Sequence, residues 1–151
     1  MGKLIRPTGI TVHHSATPDQ GVLDFPAIVR YHTEVNGWSD IGYHAVVERT
    51  ERGVACIFGR PTSRYGAHAK GHNSTLGICF VGHYDQVPPP SSMIVEAIKR
   101  VIIPWCDQFG LVPRQIYGHR EHEGVTKTCP GRAFNMDAFR AEVWEVMDER
   151  P

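Results

Sequence analysis

Charge of one sign is missing from this chain: 16 Lys and Arg balance 16 Asp and Glu over 151 residues. No single-sign field therefore favours a polyanion, and nucleic acid is excluded as an expected partner. Long apolar runs are missing as well. The opening MGKLIRPTGITVHH holds none long enough for a signal peptide or a membrane span, so the expectation is a cytoplasmic protein with no membrane segment. Cysteine is scarce, with four residues. Without an export signal these have no call to form a disulfide scaffold, and Cys56, Cys79 and Cys106, set among apolar neighbours (ACIF, ICFV, PWCD), read as reduced core residues. Repeats and low-complexity segments are absent too. A chain of this length fits a single domain, residues 1–151, which can bury its own core and is expected to be a monomer.

What is present organises the chain around residues 118–131, GHREHEGVTKTCPG, which pack His119, His122, Lys127 and Cys129 into eleven positions. Imidazole and thiolate together are the donor mixture zinc selects. Cys129 differs from the other cysteines because Thr128 and Pro130 flank it in a polar turn. A local His-to-Cys clip with a distant third ligand suits a catalytic zinc with one position left for water, whose pKa zinc lowers to roughly 7. The distant ligand is supplied by the pair His13-His14 at the end of a predicted strand, residues 8–14, in which Ile10 and Val12 alternate with polar neighbours. A site ligated by thiolate keeps less positive charge than an all-imidazole one, so extra help for an oxyanion is expected, and Lys127 lies close enough in sequence to give it.

The remaining elements are readable from periodicity. Asp24 caps a short helix with Pro26 in its first turn, ending at Asn36-Gly37. Residues 41–50 and 53–58 form a hairpin, with Tyr43 and His44 predicted on opposite faces. A polar segment, residues 59–75, is too long for an ordinary connection and holds His68, Lys70, His72 and Asn73. Residues 76–81 are continuously apolar, as in a strand covered on both faces. A helix over 91–109 carries Pro104 as an expected kink, residues 114–117 form a short edge strand, and a last helix spans 135–149. The expected fold is α/β, a central mixed β-sheet of about five strands flanked by three main helices.

These residues resemble a known family. VHHSAT (12–17), NGWSDIGYHAVVER (36–49), GAHAKGHNSTLGICFVG (66–82) and GHR followed by KTCPG (118–120, 127–131) are similar, in this order, to the zinc-dependent N-acetylmuramoyl-L-alanine amidases of the phage-lysozyme and peptidoglycan-recognition superfamily. The flavour is that of the small single-domain phage lysozymes, or endolysins. The resemblance implies zinc held by His13, His119 and Cys129. It gives Tyr43 and Lys127 catalytic roles, near the zinc water and at the tetrahedral intermediate, and makes His68, Lys70 and Asn73 a wall of the substrate groove. One departure bears on the ligands: neither His119, ten residues before Cys129, nor His122, seven before it, has the family's interval. The GHR context favours His119.

The implied activity is hydrolysis of the amide between N-acetylmuramic acid and L-alanine in peptidoglycan, acting on the cell wall after release if the chain is an endolysin. Two other readings share the residues: a peptidoglycan-binding module that does not cut, and a cytosolic amidase that recycles soluble muropeptides. By analogy alone, some small phage lysozymes of this type also contact a phage RNA polymerase. His32, His72 and His83 are expected to be satisfied polar residues, and Glu121 and Glu123 to face solvent.

Overall fold

The computed structural model describes residues 5–16 and 24–150. Five short strands, β1 (Ile10–His14), β2 (Ala45–Thr50), β3 (Gly53–Phe58), β4 (Leu76–Phe80) and β5 (Ile116–Gly118), build one sheet in the order β3-β2-β4-β1-β5. Only β2 and β3 pair antiparallel; β1 runs parallel to both β4 and β5, and β2 parallel to β4. The mixed five-stranded α/β sheet expected from the sequence is therefore present. Every residue of β1 and β4 is buried; β4 accordingly reads as one apolar run, while the polar residues of β1, Thr11, His13 and His14, are buried as well.

The two faces are covered unequally. Ile10 and Val12 of β1, Leu76, Ile78 and Phe80 of β4 and Ala45 and Val47 of β2 join the main core with Met93, Val101, Trp105, Phe139 and Val143. Helices α2 (Ser91–Ala97), α3 (Ile103–Phe109) and α4 (Met136–Asp148) supply that second layer. A smaller cluster of Ile28, Ile41, Val46, Cys79 and Val81 covers the other face, beneath α1 (Phe25–Arg30). Asp24 caps α1 as predicted, accepting from the Ala27 amide at 2.9 Å; Asn135, expected as the first residue of α4, instead caps it by accepting from Ala138 at 2.9 Å.

Pro104 does not break its helix. The turn ahead of it, Ile98–Ile102, is wound in π-helical fashion, and the Ile103 amide reaches back to the Ile98 carbonyl. Widening the turn there relieves the clash between the proline ring and the preceding turn's carbonyls. A second difference concerns β2, which starts at Ala45 rather than at residue 41. Residues 41–44 approach it as a bend: the Gly42 amide donates to His32 Nδ1 at 2.9 Å and its carbonyl accepts from Ala67. Strand alternation consequently does not separate Tyr43 from His44. Both rings lie beside His68, at centroid distances of 6.4 and 5.8 Å. Of the turn expected after β1, Thr17 and Pro18 lie outside the described residues.

No helix among the described residues is long and apolar enough to cross a membrane. All four cysteines are free thiols, Cys79 and Cys106 buried and Cys56 and Cys129 partly so. Ile78 sits on the central strand with no exposure. Ile78→Ala is expected to cost about 2–5 kcal/mol of unfolding free energy, measured by urea denaturation; a loss below 1 kcal/mol would mean the central strand is not the packed centre described.

Candidate metal centre

His13 is the fourth residue of β1 and His119 the first after β5, so both stand at the carboxyl ends of neighbouring parallel strands. This is where open α/β sheets place their ligands, because the loops diverge there and leave a crevice. Cys129 arrives from the following loop. Donor atoms of His13, His119 and Cys129 lie within 4.8 Å of one another, and Cys129 Sγ stands 3.5 Å from His13 Nδ1. Ligand lengths of about 2.0–2.3 Å allow one ion to draw these three together.

The loop carrying Cys129 is tied down by the residue beside His119. Arg120 donates through Nη1 to the Gly131 carbonyl at 2.6 Å and through Nη2 to the Phe134 carbonyl at 2.8 Å, while its own amide donates to the Cys129 carbonyl at 2.7 Å. Gly131 has φ +115°, and a Cβ there would stand 2.3 Å from the Tyr84 carbonyl oxygen, so no other residue fits this close approach. On the other side of His119, Glu121 accepts from the Gly118 amide at 2.7 Å and pairs with Arg140 of α4 at 2.8 Å. Glu121 is exposed, as expected, and also braces this turn.

The three donors form the floor of a cleft of about 600 Å³ whose walls include His14, His32, Trp38, Tyr43, His83, Asp85 and Lys127. Tyr43 packs against His13 at a centroid distance of 5.2 Å; burial, then the two neighbouring cysteines Cys79 and Cys129, push its phenol well above the usual range and keep it neutral. Lys127 is exposed at the mouth. Burial pushes the Cys129 thiol up to about 11, against the pull of the His14 backbone, Lys127 and Arg120. A divalent cation reverses that balance, since a coordinating thiol loses its proton. Burial also holds His13 well below 6.5, with its histidine neighbours adding to the effect, so its imidazole is neutral and has a lone pair to give. Chemically, a buried thiol and two neutral imidazoles that share one point in an open cleft fit a soft or borderline metal.

The sequence left His119 and His122 as alternatives, and the structure separates them. His122 turns away: its Nε2 bonds Thr11 Oγ1 at 2.8 Å and its ring stacks on His72 at 4.0 Å. Of the three residues assigned to the groove wall, His68 reaches the cleft, with Nδ1 2.9 Å from His13 Nε2. Asn73 does not. Its Oδ1 accepts from the amides of His68 and Ala69 at 2.9 Å each, which closes the loop. Lys70 is exposed and outside the cleft lining. His44 is fully engaged, accepting from the Gly77 amide at Nδ1 and bonding the Arg64 carbonyl through Nε2, both at 2.9 Å. His32, satisfied by the Gly42 amide at 2.9 Å, and the exposed His83 are polar residues outside the donor cluster, as expected, and they also line the cleft. Isolated histidines in a sequence carry no periodic signal that could have shown this.

Comparison with known proteins gives a consistent picture. The sequence pattern described as N-acetylmuramoyl-L-alanine amidase matches residues 3–132. The endolysin of Enterobacteria phage T3 is 39% identical over 129 residues, covering 80% of this chain and 78% of that protein. The human N-acetylmuramoyl-L-alanine amidase is 33% identical over 135 residues, covering 81% of this chain and 22% of that longer protein. Among solved structures, the endolysin amidase LysCS from Clostridium intestinale URNW matches with a TM-score of 0.77 at 22% identity, over 92% of this chain and 84% of that one, which shows the shared fold.

The buried imidazoles make the metal-free protein acid-sensitive. Burial first, then neighbouring histidines and, at His14, Arg120, lowers His14 and His122 to about 4 and His68 to about 3. As pH falls, the unfolded chain takes up protons near 6.5 while the folded one does not until about 4 or below. Unfolding is then favoured, so stability present above about pH 6.5 is lost progressively towards pH 4. The expected result is a urea midpoint that falls steadily between pH 7.5 and pH 4.5; an unchanged midpoint over that range would contradict it.

Proposed function

The chain belongs to the N-acetylmuramoyl-L-alanine amidase family, and from that premise we propose that it acts as an endolysin-type zinc amidase. Its substrate is peptidoglycan, and the bond hydrolysed is the amide between N-acetylmuramic acid and L-alanine. The observation that carries the zinc assignment is the convergence of His13, His119 and Cys129 on the floor of an open cleft. Two imidazoles and a thiol are the donor set zinc takes, and the cleft leaves access from one side for water and substrate. When bound there, zinc supplies a Lewis acid and a water ionised near neutral pH.

The chain's own residues do the rest. His13 and His119 give neutral nitrogen donors and Cys129 gives a thiolate, so the centre keeps a net charge near +1 and leaves part of the oxyanion's charge uncovered. Lys127, exposed at the cleft mouth, brings an ammonium to the carbonyl oxygen as it gains negative charge. Tyr43, neutral and packed on His13, presents a phenol that orients the attacking water or the scissile amide by hydrogen bonding. The likeness to phage endolysins over 78% of their length supports intact cell-wall peptidoglycan as the substrate rather than soluble fragments. A module that only binds peptidoglycan has no need of the thiolate donor, which favours the catalytic reading.

Three variants test these roles separately. Cys129→Ser is expected to lose stoichiometric zinc and amidase activity together, and full activity in it would remove Cys129 from the centre. Lys127→Ala is expected to keep zinc while kcat drops about 10²–10³-fold. Tyr43→Phe is expected to keep zinc and lose about 10²-fold or more in kcat. Zinc content by elemental analysis alongside turnover of purified peptidoglycan separates loss of metal from loss of chemistry.

A further inference from the structure

His68 has both ring nitrogens committed inside the protein, so it has no polar atom left for a substrate. Its Nε2 lies 2.9 Å from the Thr75 carbonyl oxygen. A carbonyl only accepts, so Nε2 carries the proton. In a neutral ring protonated at Nε2, Nδ1 is a bare acceptor. That acceptor lies 2.9 Å from His13 Nε2, which must then carry His13's single proton. What remains on His13 is an unprotonated Nδ1, and this is the atom 3.5 Å from Cys129 Sγ.

The seat of the His68 ring is cut into the fold by two missing side chains. A Cβ on Gly77 of β4 would stand 2.6 Å from His68 Cγ, and one on Gly66 would stand 2.3 Å from His68 Cδ2. Real Cβ atoms do not approach so closely, so both positions have to be glycine for the ring to lie where it does. Asn73 fixes the backbone beneath it from the other direction, accepting from the His68 and Ala69 amides. An immobile ring on a backbone anchor is what a positioning group requires.

We propose that His68 is the positioning residue of the metal centre: a relay from the Thr75 carbonyl through His68 to His13 fixes His13 as the Nε2–H tautomer and aims its Nδ1 lone pair at the metal. This rests on the zinc reading above and replaces the substrate-contact role that the family resemblance implied for His68. Histidine ligands are commonly oriented by a carboxylate or a carbonyl on their second nitrogen. Here a neutral imidazole is interposed, so the tautomer is fixed without adding negative charge beside a centre that a thiolate has already partly neutralised.

The test begins on the wild-type protein without metal, where long-range ¹⁵N–¹H correlations near pH 7.5 report each imidazole's tautomer. His13 and His68 are both expected to be protonated at Nε2; a His13 protonated at Nδ1 overturns the proposal. Cobalt(II) titrations in competition with a chelating dye then compare three variants. His68→Gln, whose amide reaches the Nε2 position but leaves no acceptor at Nδ1, is expected to bind about 10–100-fold more weakly. His68→Asn, which restores an acceptor near Nδ1, is expected to bind close to wild type. Gly77→Ala, which displaces the ring while leaving every ligand in place, is expected to resemble His68→Gln. Equal losses in Gln and Asn variants would show that only volume matters and would overturn the relay. Unchanged cobalt affinity in His68→Gln with a raised KM would restore the substrate contact and also overturn it. Should the wild-type protein bind no zinc, the amidase reading fails, while the tautomer spectrum, which needs no metal, still decides the relay.

Discussion

The parallel pairing of β1 with β4 on one side and β5 on the other determines where each donor atom can stand, because parallel neighbours end at the same edge of the sheet. His13 stands one residue before the end of β1 and His119 follows β5 directly, so two candidate donors from opposite ends of the chain arrive side by side without either loop having to search. The third comes from a loop, and a loop is mobile unless held. Arg120 gathers the carbonyls of that loop, and the Phe80, Phe134 and Phe139 rings, 5.2–6.2 Å apart, fasten its far end to β4 and α4. The centre is therefore only as well placed as the core beneath it.

The same burial that fixes the geometry also sets the chemistry. Crowding neutral imidazoles around a buried thiol costs desolvation whenever one of them becomes charged, which raises the pKa of Cys129 and Tyr43 and lowers those of the histidines. A cation at their common point offsets that cost, because it stabilises the thiolate and uses the lone pairs that burial preserved. Lys127, exposed at the rim, is the residue that the proposed mechanism brings to the substrate carbonyl.

Much of this was legible before the structure. Ile10 and Val12 alternating ahead of His13, the apolar run of β4 and the stripe of α4 are periodic signals, and periodicity is what burial imprints on a sequence. Cys129 was legible through its polar, proline-bounded setting. What stayed hidden depends on bends and on side chains meeting across the fold. The bend at residues 41–44 removed the alternation that would have parted Tyr43 from His44. The turn after β5 placed His119 at the strand end and carried His122 back to Thr11, a difference that spacing alone could not express. His68 was seen as a site residue, but the commitment of both its ring nitrogens to Thr75 and His13 follows from a seat opened by Gly66 and Gly77, which no single segment reveals.

The central claim is that this cleft cuts one amide and no sugar bond, using a metal held by its own three donors. Purified peptidoglycan digested by the zinc-loaded protein, with new amino termini and new reducing ends counted in the same sample, tests it most directly. Free L-alanine amino termini that disappear on chelation and return with zinc, without any rise in reducing ends, are the predicted result. New reducing ends, or amino-terminal release that persists after the metal is stripped, would contradict it.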